Sequence, residues 1–161
     1  MHRLLATFGV AAFLATTAAA SDETDVMSVV HQWIDSFDKG DVKSFVSLCS
    51  EQSTILDDFP PYEWQGSGAC SRWWSDNDVF ARTNGITDGV VTLGKPLELY
   101  VTAGHAYVVT RDDYTFKVKG KPMKQTGSIH TFVLQKSSAG WRITGEAWAS
   151  TALAAPVSGG S

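Results

Sequence analysis

The chain has 161 residues, of which 43% are hydrophobic and 19% charged, and its formal net charge at pH 7 is −4. A chain of this length can bury the core of one domain without stabilising metals or disulfides. Its acidic balance and scattered basic residues argue against nucleic-acid binding, which requires lysine and arginine clustered on one face.

The first 20 residues have the three-part pattern of a secretory signal peptide. His2 and Arg3 precede an apolar run over residues 4–15, and three alanines at 18–20 come before polar residues. The run is shorter than the roughly 20 residues of a membrane span, so we expect none. We expect cleavage after Ala20 and export to the periplasm or the extracellular space. The alternative is a buried N-terminal helix.

Three helices are predicted before residue 85, and their ends carry recognisable caps. Thr24 or Asp25 can cap the first helix, Gly40 can end it in a left-handed turn, and Asp41 can cap the second. The elements predicted from the periodicity of apolar residues are helices over 26–37, 42–49 and 69–83, with a short strand at 53–56 and a proline turn at 57–61.

Everything after Gly85 is predicted as strand, with glycine and proline turns between the strands. The predicted strands cover residues 87–93, 97–102, 105–118, 124–136 and 141–151. The apolar phase switches within the third, which predicts a β-bulge near residues 111–113. Helices followed by an antiparallel meander indicate an α+β fold over residues 21–151. The Ala/Gly/Ser-rich residues 152–161 are predicted to be a disordered tail.

The two cysteines leave two interpretations open. An exported protein meets an oxidising compartment, so Cys49 and Cys70 either form a disulfide or remain separate buried thiols. The spacing of cysteine and histidine fits no zinc motif, and the sequence has no P-loop, nucleophile elbow or dinucleotide fingerprint. We therefore predict neither a metal site nor a cofactor.

The order of elements and several short motifs resemble the NTF2-like superfamily, which includes ketosteroid isomerase, scytalone dehydratase and the SnoaL-like proteins. The motifs are residues 33–41 (WIDSFDKGD), 55–58 (ILDD), the following Gly66, and 140–144 (GWRIT). The resemblance covers residues 26–151. It implies a cone in which three N-terminal helices pack on a strongly curved mixed or antiparallel β-sheet. This fold hosts unrelated activities, so the motifs specify function poorly.

The resemblance places a general base at Asp57. A gapless count from the end of the first helix puts Asp57 at the position of the catalytic aspartate of ketosteroid isomerase, and Trp33 at that of its oxyanion-hole tyrosine. An indole N–H donates one hydrogen bond but lacks the acid chemistry of a phenol. A carboxylate in an apolar pocket has a raised pKa and can exchange protons. The alternative is that Asp57 and Asp58 only start the turn.

Two further residues are candidate proton donors. Strand alternation places His130 among apolar neighbours, where it is either a pocket acid or base or an ordinary histidine. Tyr114 is the second candidate. On the last strand, alternation puts Glu146 on one face with Arg142, where it can pair with Arg142 or reach the pocket, and we expect the pair.

Six tryptophans are many for a chain of this size. Some are expected to line a cavity for a small apolar or aromatic molecule, with ordinary core packing as the alternative. The predicted ligand-binding residues are Trp33, Trp64, Trp74 and Trp148.

Three functions remain open from the sequence. The first is a cofactor-free proton-transfer enzyme of isomerase, cyclase or dehydratase type, with Asp57 as base and His130 or Tyr114 as proton donor. The second is a non-catalytic module that binds a small ligand. The third is an interaction module that forms a homodimer through the exposed face of the sheet.

Overall fold

A computed structural model describes the backbone of residues 11–150 and 155–156, and the side chains of residues 22–150. The helices are α1 (Ala11–Asp38), α2 (Val42–Ser47) and α3 (Ala69–Asn84). The strands are β1 (Cys49–Leu56), β2 (Glu63–Ser67), β3 (Ile86–Thr102), β4 (His105–Val118), β5 (Lys121–Ser137), β6 (Gly140–Ala149) and β7 (Ala155–Pro156).

The strands form one mixed sheet in the order β2-β1-β6-β5-β4-β3, with β7 paired to β5. Neighbours are antiparallel except β1 and β6, which run parallel. Three helices on a mixed sheet confirm the predicted α+β cone. The core lies between the helices and one sheet face, where Phe45, Ile55 and Phe132 are fully buried.

The first helix is longer than predicted. It starts at Ala11, so a cap at Thr24 or Asp25 is wrong; the alanine-rich sequence before them favours helix strongly enough to continue it. The predicted cleavage site after Ala20 therefore falls within α1, and residues 1–10 lie outside the described residues. The next turn is as predicted, because Gly40 adopts a φ of +67° and Asp41 Oδ1 accepts a hydrogen bond from Ser44 N.

Three differences concern strands and turns. Strand β2 was not predicted, because Gly66 and Gly68 suggested a break in the chain; Gly66 instead adopts a φ of +83° within the strand. The predicted turn at residues 94–96 is instead part of β3, where register shifts on either side of Pro96 absorb it. In the predicted disordered tail, Ala155–Pro156 forms β7, and the rest of residues 152–161 lies outside the described residues.

Two bulges decide which side chains face the core. The predicted irregularity at Asp112 and Asp113 is confirmed, but the extra residue is Gly127 on the neighbouring β5, with a φ of +71°. A second, unpredicted bulge leaves Thr144 of β6 without a partner in the β5 register. Beyond it, Glu146 faces the core, which simple alternation did not predict.

Two further predictions concern the cysteine pair and the pairing of Arg142 with Glu146. Cys49 and Cys70 form a disulfide, with their Cα atoms 6.6 Å apart, so the bonded interpretation is confirmed. Arg142 does not pair with Glu146 as predicted, because the bulge separates their faces and Arg142 Nη1 donates to the carbonyl of Trp141. Within the described part of the chain, no helix has the length and apolarity of a membrane span.

Candidate functional site

A cavity of about 530 Å³ is bounded by α1, α3, the β1–β2 turn and strands β3 to β6. Aromatic rings form much of its wall. They include Trp33, Phe37, Trp73, Trp74, Tyr114 and Trp148.

The structure brings most of the predicted site residues into this one cavity. Those that line it are Asp57, Tyr114, His130, Trp33, Trp74 and Trp148. Trp64 is the exception. It is buried, its ring lies 4.9 Å from that of Phe59, and its Nε1 donates to Asp76 Oδ2. Trp64 therefore belongs to the core, because it packs against Phe59 and does not line the cavity.

Asp57 follows the last residue of β1 and faces the cavity. Its Oδ1 accepts a hydrogen bond from the backbone N–H of Asp58 at 2.7 Å, and its Oδ2 accepts one from Trp73 Nε1 at 2.8 Å. Burial, followed by the nearby charge of Glu146, raises the pKa of Asp57 to about 7. The two hydrogen bonds lower it by less. Asp58 itself is exposed.

The side chain of Asp57 does not close the following turn. That turn is held by the backbone, since Tyr62 N donates to Phe59 O and Asp57 N donates to Tyr62 O. Each carboxylate oxygen can accept a second hydrogen bond. Asp57 thus keeps the capacity to accept a proton from a bound molecule.

A buried chain of charged groups crosses the cavity floor. His130 Nδ1 lies 3.0 Å from Asp112 Oδ2, and His130 Nε2 lies 2.7 Å from Glu146 Oε1. Trp148 Nε1 donates to both carboxylate oxygens of Asp112. Side-chain exposure is 5% for His130, 2% for Glu146 and 0% for Asp112, so solvent screens these charges little.

The pKa values of His130 and Glu146 in this network are both raised. Burial alone would lower the pKa of His130, but hydrogen bonds and charge from Asp112 and Glu146 overcome it and raise the pKa to about 9. Burial raises the pKa of Glu146, against the opposing effect of His130. The imidazole is therefore an imidazolium at neutral pH, held between two carboxyl groups.

Three buried polar atoms of the cavity lining have no hydrogen-bond partner among residues 22–150. They are Trp33 Nε1, a donor, Glu146 Oε2, an acceptor, and His130 Nε2, which lies 2.7 Å from Glu146 Oε1 as an ion pair. A buried polar atom without a partner costs free energy, and native structures usually satisfy it with water or a ligand. For Glu146 the pocket was only the alternative to a pair with Arg142, because strict alternation does not show the bulge at Thr144 that turns Glu146 inward.

Tyr114 is placed as a neutral hydrogen-bond donor. Burial, followed by the charges of Asp38 and Asp57, raises its pKa to about 12. The phenol lies against Gly89, where a Cβ atom would stand 2.6 Å from Tyr114 Oη. Gly89 thus leaves the space that the ring occupies. Among the side chains described, no group of three or more histidine, cysteine, aspartate or glutamate residues could hold a metal ion.

Comparison with known proteins gives a family and a fold. The profile of the SnoaL-like domain family matches residues 26–147, whereas the curated proteins gave no match. An NTF2-like protein with a cystatin-like fold from Novosphingobium aromaticivorans is similar in structure. Its TM-score is 0.69, with 15% identity over 95% of this chain and 93% of that one.

Two further similar structures carry enzyme names. One is hexachlorocyclohexane dehydrochlorinase from Novosphingobium barchaimii, with a TM-score of 0.68 and 13% identity over 91% of this chain and 93% of that one. The other is a ketosteroid isomerase-like protein from Erwinia carotovora atroseptica, with a TM-score of 0.63 and 12% identity over 82% of this chain and 98% of that one. At these identities the likeness shows the fold alone.

Proposed function

The chain belongs to the SnoaL-like domain family of the NTF2-like superfamily, and on that premise we propose that it is an exported, cofactor-free enzyme that moves a proton on a small aromatic molecule. The observation that carries the proposal is the position of Asp57, a cavity carboxylate with a pKa of about 7. A general base works best when its pKa lies near the operating pH. The enzyme names among the similar structures support this class of reaction.

Asp57 takes a proton from a C–H bond next to an electron-withdrawing group, and the electron pair of that bond moves into the group. In isomerisation, the electron pair returns from the group and Asp57 delivers the proton to another carbon. In elimination, the pair forms a C=C bond, a leaving group departs with the electrons of its own bond, and the proton passes from Asp57 to water. Both routes balance without an oxidant or a cofactor.

Tyr114 and Trp33 stabilise the charge that develops on the substrate. The phenol of Tyr114 stays protonated because its pKa is about 12, and the unpartnered Trp33 Nε1 is a second donor. Donors that are already in place and shielded from water stabilise such charge effectively. His130 contacts carboxyl groups through both ring nitrogens, so it acts on the substrate only through Glu146.

Deuterium exchange tests the proposal without knowledge of the natural substrate. A panel of small aromatic ketones is incubated with the protein in D₂O, and deuterium incorporation at carbon is followed by NMR. We expect exchange with the native protein and with Asp58→Asn, and a loss of about 100-fold or more with Asp57→Asn. Equal exchange by Asp57→Asn would rule out Asp57 as the base.

Ligand binding without catalysis is the second candidate function. The observation that favours it is that both oxygens of Asp57 already accept a hydrogen bond, while aromatic rings line much of the wall. Panel members that quench tryptophan fluorescence but exchange no deuterium would make binding the better account.

Export is supported by the Cys49–Cys70 disulfide, because disulfides form and persist in oxidising compartments. Mass spectrometry of exported protein should give an N-terminus near Ser21. Intact protein found only in the cytoplasm would contradict export.

A homodimer through the outer sheet face is a separate proposal. Tyr100, Tyr107 and Val133 are register neighbours on three strands, and their exposed fractions are 60%, 42% and 41%. Exposed apolar rows of this kind favour association. Sedimentation of the native protein and of Tyr107→Ser should show a dimer and a monomer, respectively.

A further inference from the structure

The cavity carries more negative charge than its own residues balance. Among its lining aspartates, Asp78 pairs with Arg82, and Asp88 lies 2.9 Å from Lys117 Nζ. Asp38, Asp57 and Asp58 also line the cavity, and no lysine or arginine among residues 22–150 forms an ion pair with them.

Two cationic side chains belong to the lining. Lys39 Nζ lies 3.5 Å from Asp35 Oδ2, outside the lining, and both side chains of this weak pair are exposed. His130 is enclosed by Asp112 and Glu146. Apart from the exposed Lys39, the described lining therefore offers no positive charge that is free of a carboxylate partner, and its carboxylates would repel an anionic molecule.

A second, independent observation concerns the unpartnered buried atoms of the lining: Trp33 Nε1 calls for an acceptor on the ligand, and Glu146 Oε2 calls for a donor. Glu146 is 4% exposed, lines the cavity, and leaves its Oε2 buried without a partner within the described part of the chain. A ligand N–H group would satisfy this acceptor, whereas a carboxylate or an ether oxygen would not.

The aromatic wall suits a positive charge as well as an apolar body. Indole and phenyl faces carry partial negative charge, and they attract ammonium groups most strongly where water is excluded. Trp74 and Trp148 supply indole rings beside the carboxylates of this cavity. Acidic groups together with aromatic faces thus favour a cation over a neutral or anionic molecule of the same shape.

We infer that the cavity selects a protonated organic amine with an aromatic body, and that Asp38 balances its charge. This inference deepens the proposed function by naming the substrate class of the same site. Asp38 is suited to the role because the proposed reaction does not use it. Its Oδ1 accepts a hydrogen bond from Val91 N at 2.9 Å, so the carboxylate is held in place at the cavity wall.

A matched set of three probes tests the inference by tryptophan fluorescence titration at pH 8. The probes are 2-phenylethylamine, the neutral 2-phenylethanol and the anionic 3-phenylpropanoate. We expect the amine to bind the native protein at least about tenfold more tightly than the alcohol, and the anion to bind more weakly still. Binding of the alcohol or the anion as tight as that of the amine would overturn the inference.

Two variants then test whether Asp38 supplies the negative charge that balances the amine. Asp38→Asn keeps the hydrogen bond to Val91, and we expect it to weaken amine binding about tenfold while changing alcohol binding less than about twofold. Glu51→Gln is the control, since Glu51 is exposed and lies outside the cavity lining. Unchanged amine affinity in Asp38→Asn would also overturn the inference.

These titrations are independent of turnover. Selective amine binding with no deuterium exchange on any compound would sustain the amine site and remove the proposed reaction. Exchange on neutral ketones without selective amine binding would sustain the proposed reaction and remove the amine site.

Discussion

Trp73 Nε1 donates a hydrogen bond to Asp57 Oδ2 across 2.8 Å, from α3 to the end of β1. The bond stabilises the ionised carboxylate and so opposes the burial that raises the pKa of Asp57. Trp73 also packs in the core, with its ring 5.3 Å from that of Phe45. One side chain thus holds the proposed base in place and offsets part of the rise in its pKa.

Trp73→Phe should raise the pKa of Asp57 above about 7, because the ionised form loses a hydrogen-bond donor. A hydrogen bond to a charged group contributes about 1.5–3 kcal/mol, which corresponds to about one to two pH units. The measurement is the pH dependence of deuterium exchange, whose acid limb should move to higher pH.

Trp64→Phe is the matched control for this shift. Trp64 Nε1 donates to Asp76 outside the cavity, so the variant loses an equivalent buried hydrogen bond. Its acid limb should coincide with that of the native protein. An unmoved limb in Trp73→Phe would show that another group titrates.

The free energy of unfolding should fall as the pH rises from about 4 to 9. Asp57 has an ordinary pKa of 3.8 and a folded pKa of about 7, and His130 goes from 6.5 to about 9. In both cases the folded state keeps a proton that the unfolded state releases within that window. Each group therefore contributes a slope of up to about 1.4 kcal/mol per pH unit.

Urea denaturation at one-unit pH intervals measures this trend. Asp57→Asn should make the decline between pH 4 and 7 shallower, with the remainder belonging to Asp38 and Glu146, whose pKa values are also raised by burial, and it should leave the decline between pH 7 and 9, which belongs to His130. Stability that rises toward pH 9 would contradict both raised pKa values.

The sequence was sufficient for the fold because the α+β order depends on local signals. Gly40 and Asp41 mark the turn between the first two helices, and β4 has the predicted bounds His105–Val118. Asp57 could also be predicted as the candidate base from its place in the sequence, because it comes at a strand end before a proline turn.

The rest of the site depends on register, which a single sequence does not encode locally. The bulge at Thr144 reverses which residues of β6 face inward, and it turns Glu146 toward His130. Strict alternation instead paired Glu146 with Arg142. Trp64 shows the same limit, because only tertiary packing separates a core indole from a cavity indole.

Gly89→Ala should disturb Tyr114. The added Cβ would stand 2.6 Å from Tyr114 Oη and 3.0 Å from Tyr114 Cε2, so the ring must move. Overpacking of this kind costs about 1–3 kcal/mol of unfolding free energy. Because Tyr114 is the proposed hydrogen-bond donor to the substrate, exchange activity should fall as well.

A double-mutant cycle separates this contact from a general effect of the alanine. Tyr114→Phe removes the nearest atom, so Gly89→Ala should cost clearly less in the Tyr114→Phe background. Equal costs in both backgrounds would show that the clash is not with Tyr114.

The last prediction concerns the Cys49–Cys70 disulfide, which ties the start of β1 to the first turn of α3, with 21 residues of sequence separation. Closing a loop of that length restricts the unfolded chain, and the chain-entropy estimate is about 3 kcal/mol. Replacing both cysteines by serine should lower the unfolding free energy by about that amount, as measured by urea denaturation. The native protein under a strong reductant should lose a similar amount, and the double variant should not respond to the reductant. Because α3 carries Trp73, a loosened α3 should also weaken its hold on Asp57 and slow deuterium exchange. Equal stability of the oxidised protein and the double variant would show that the bond does not restrain the fold.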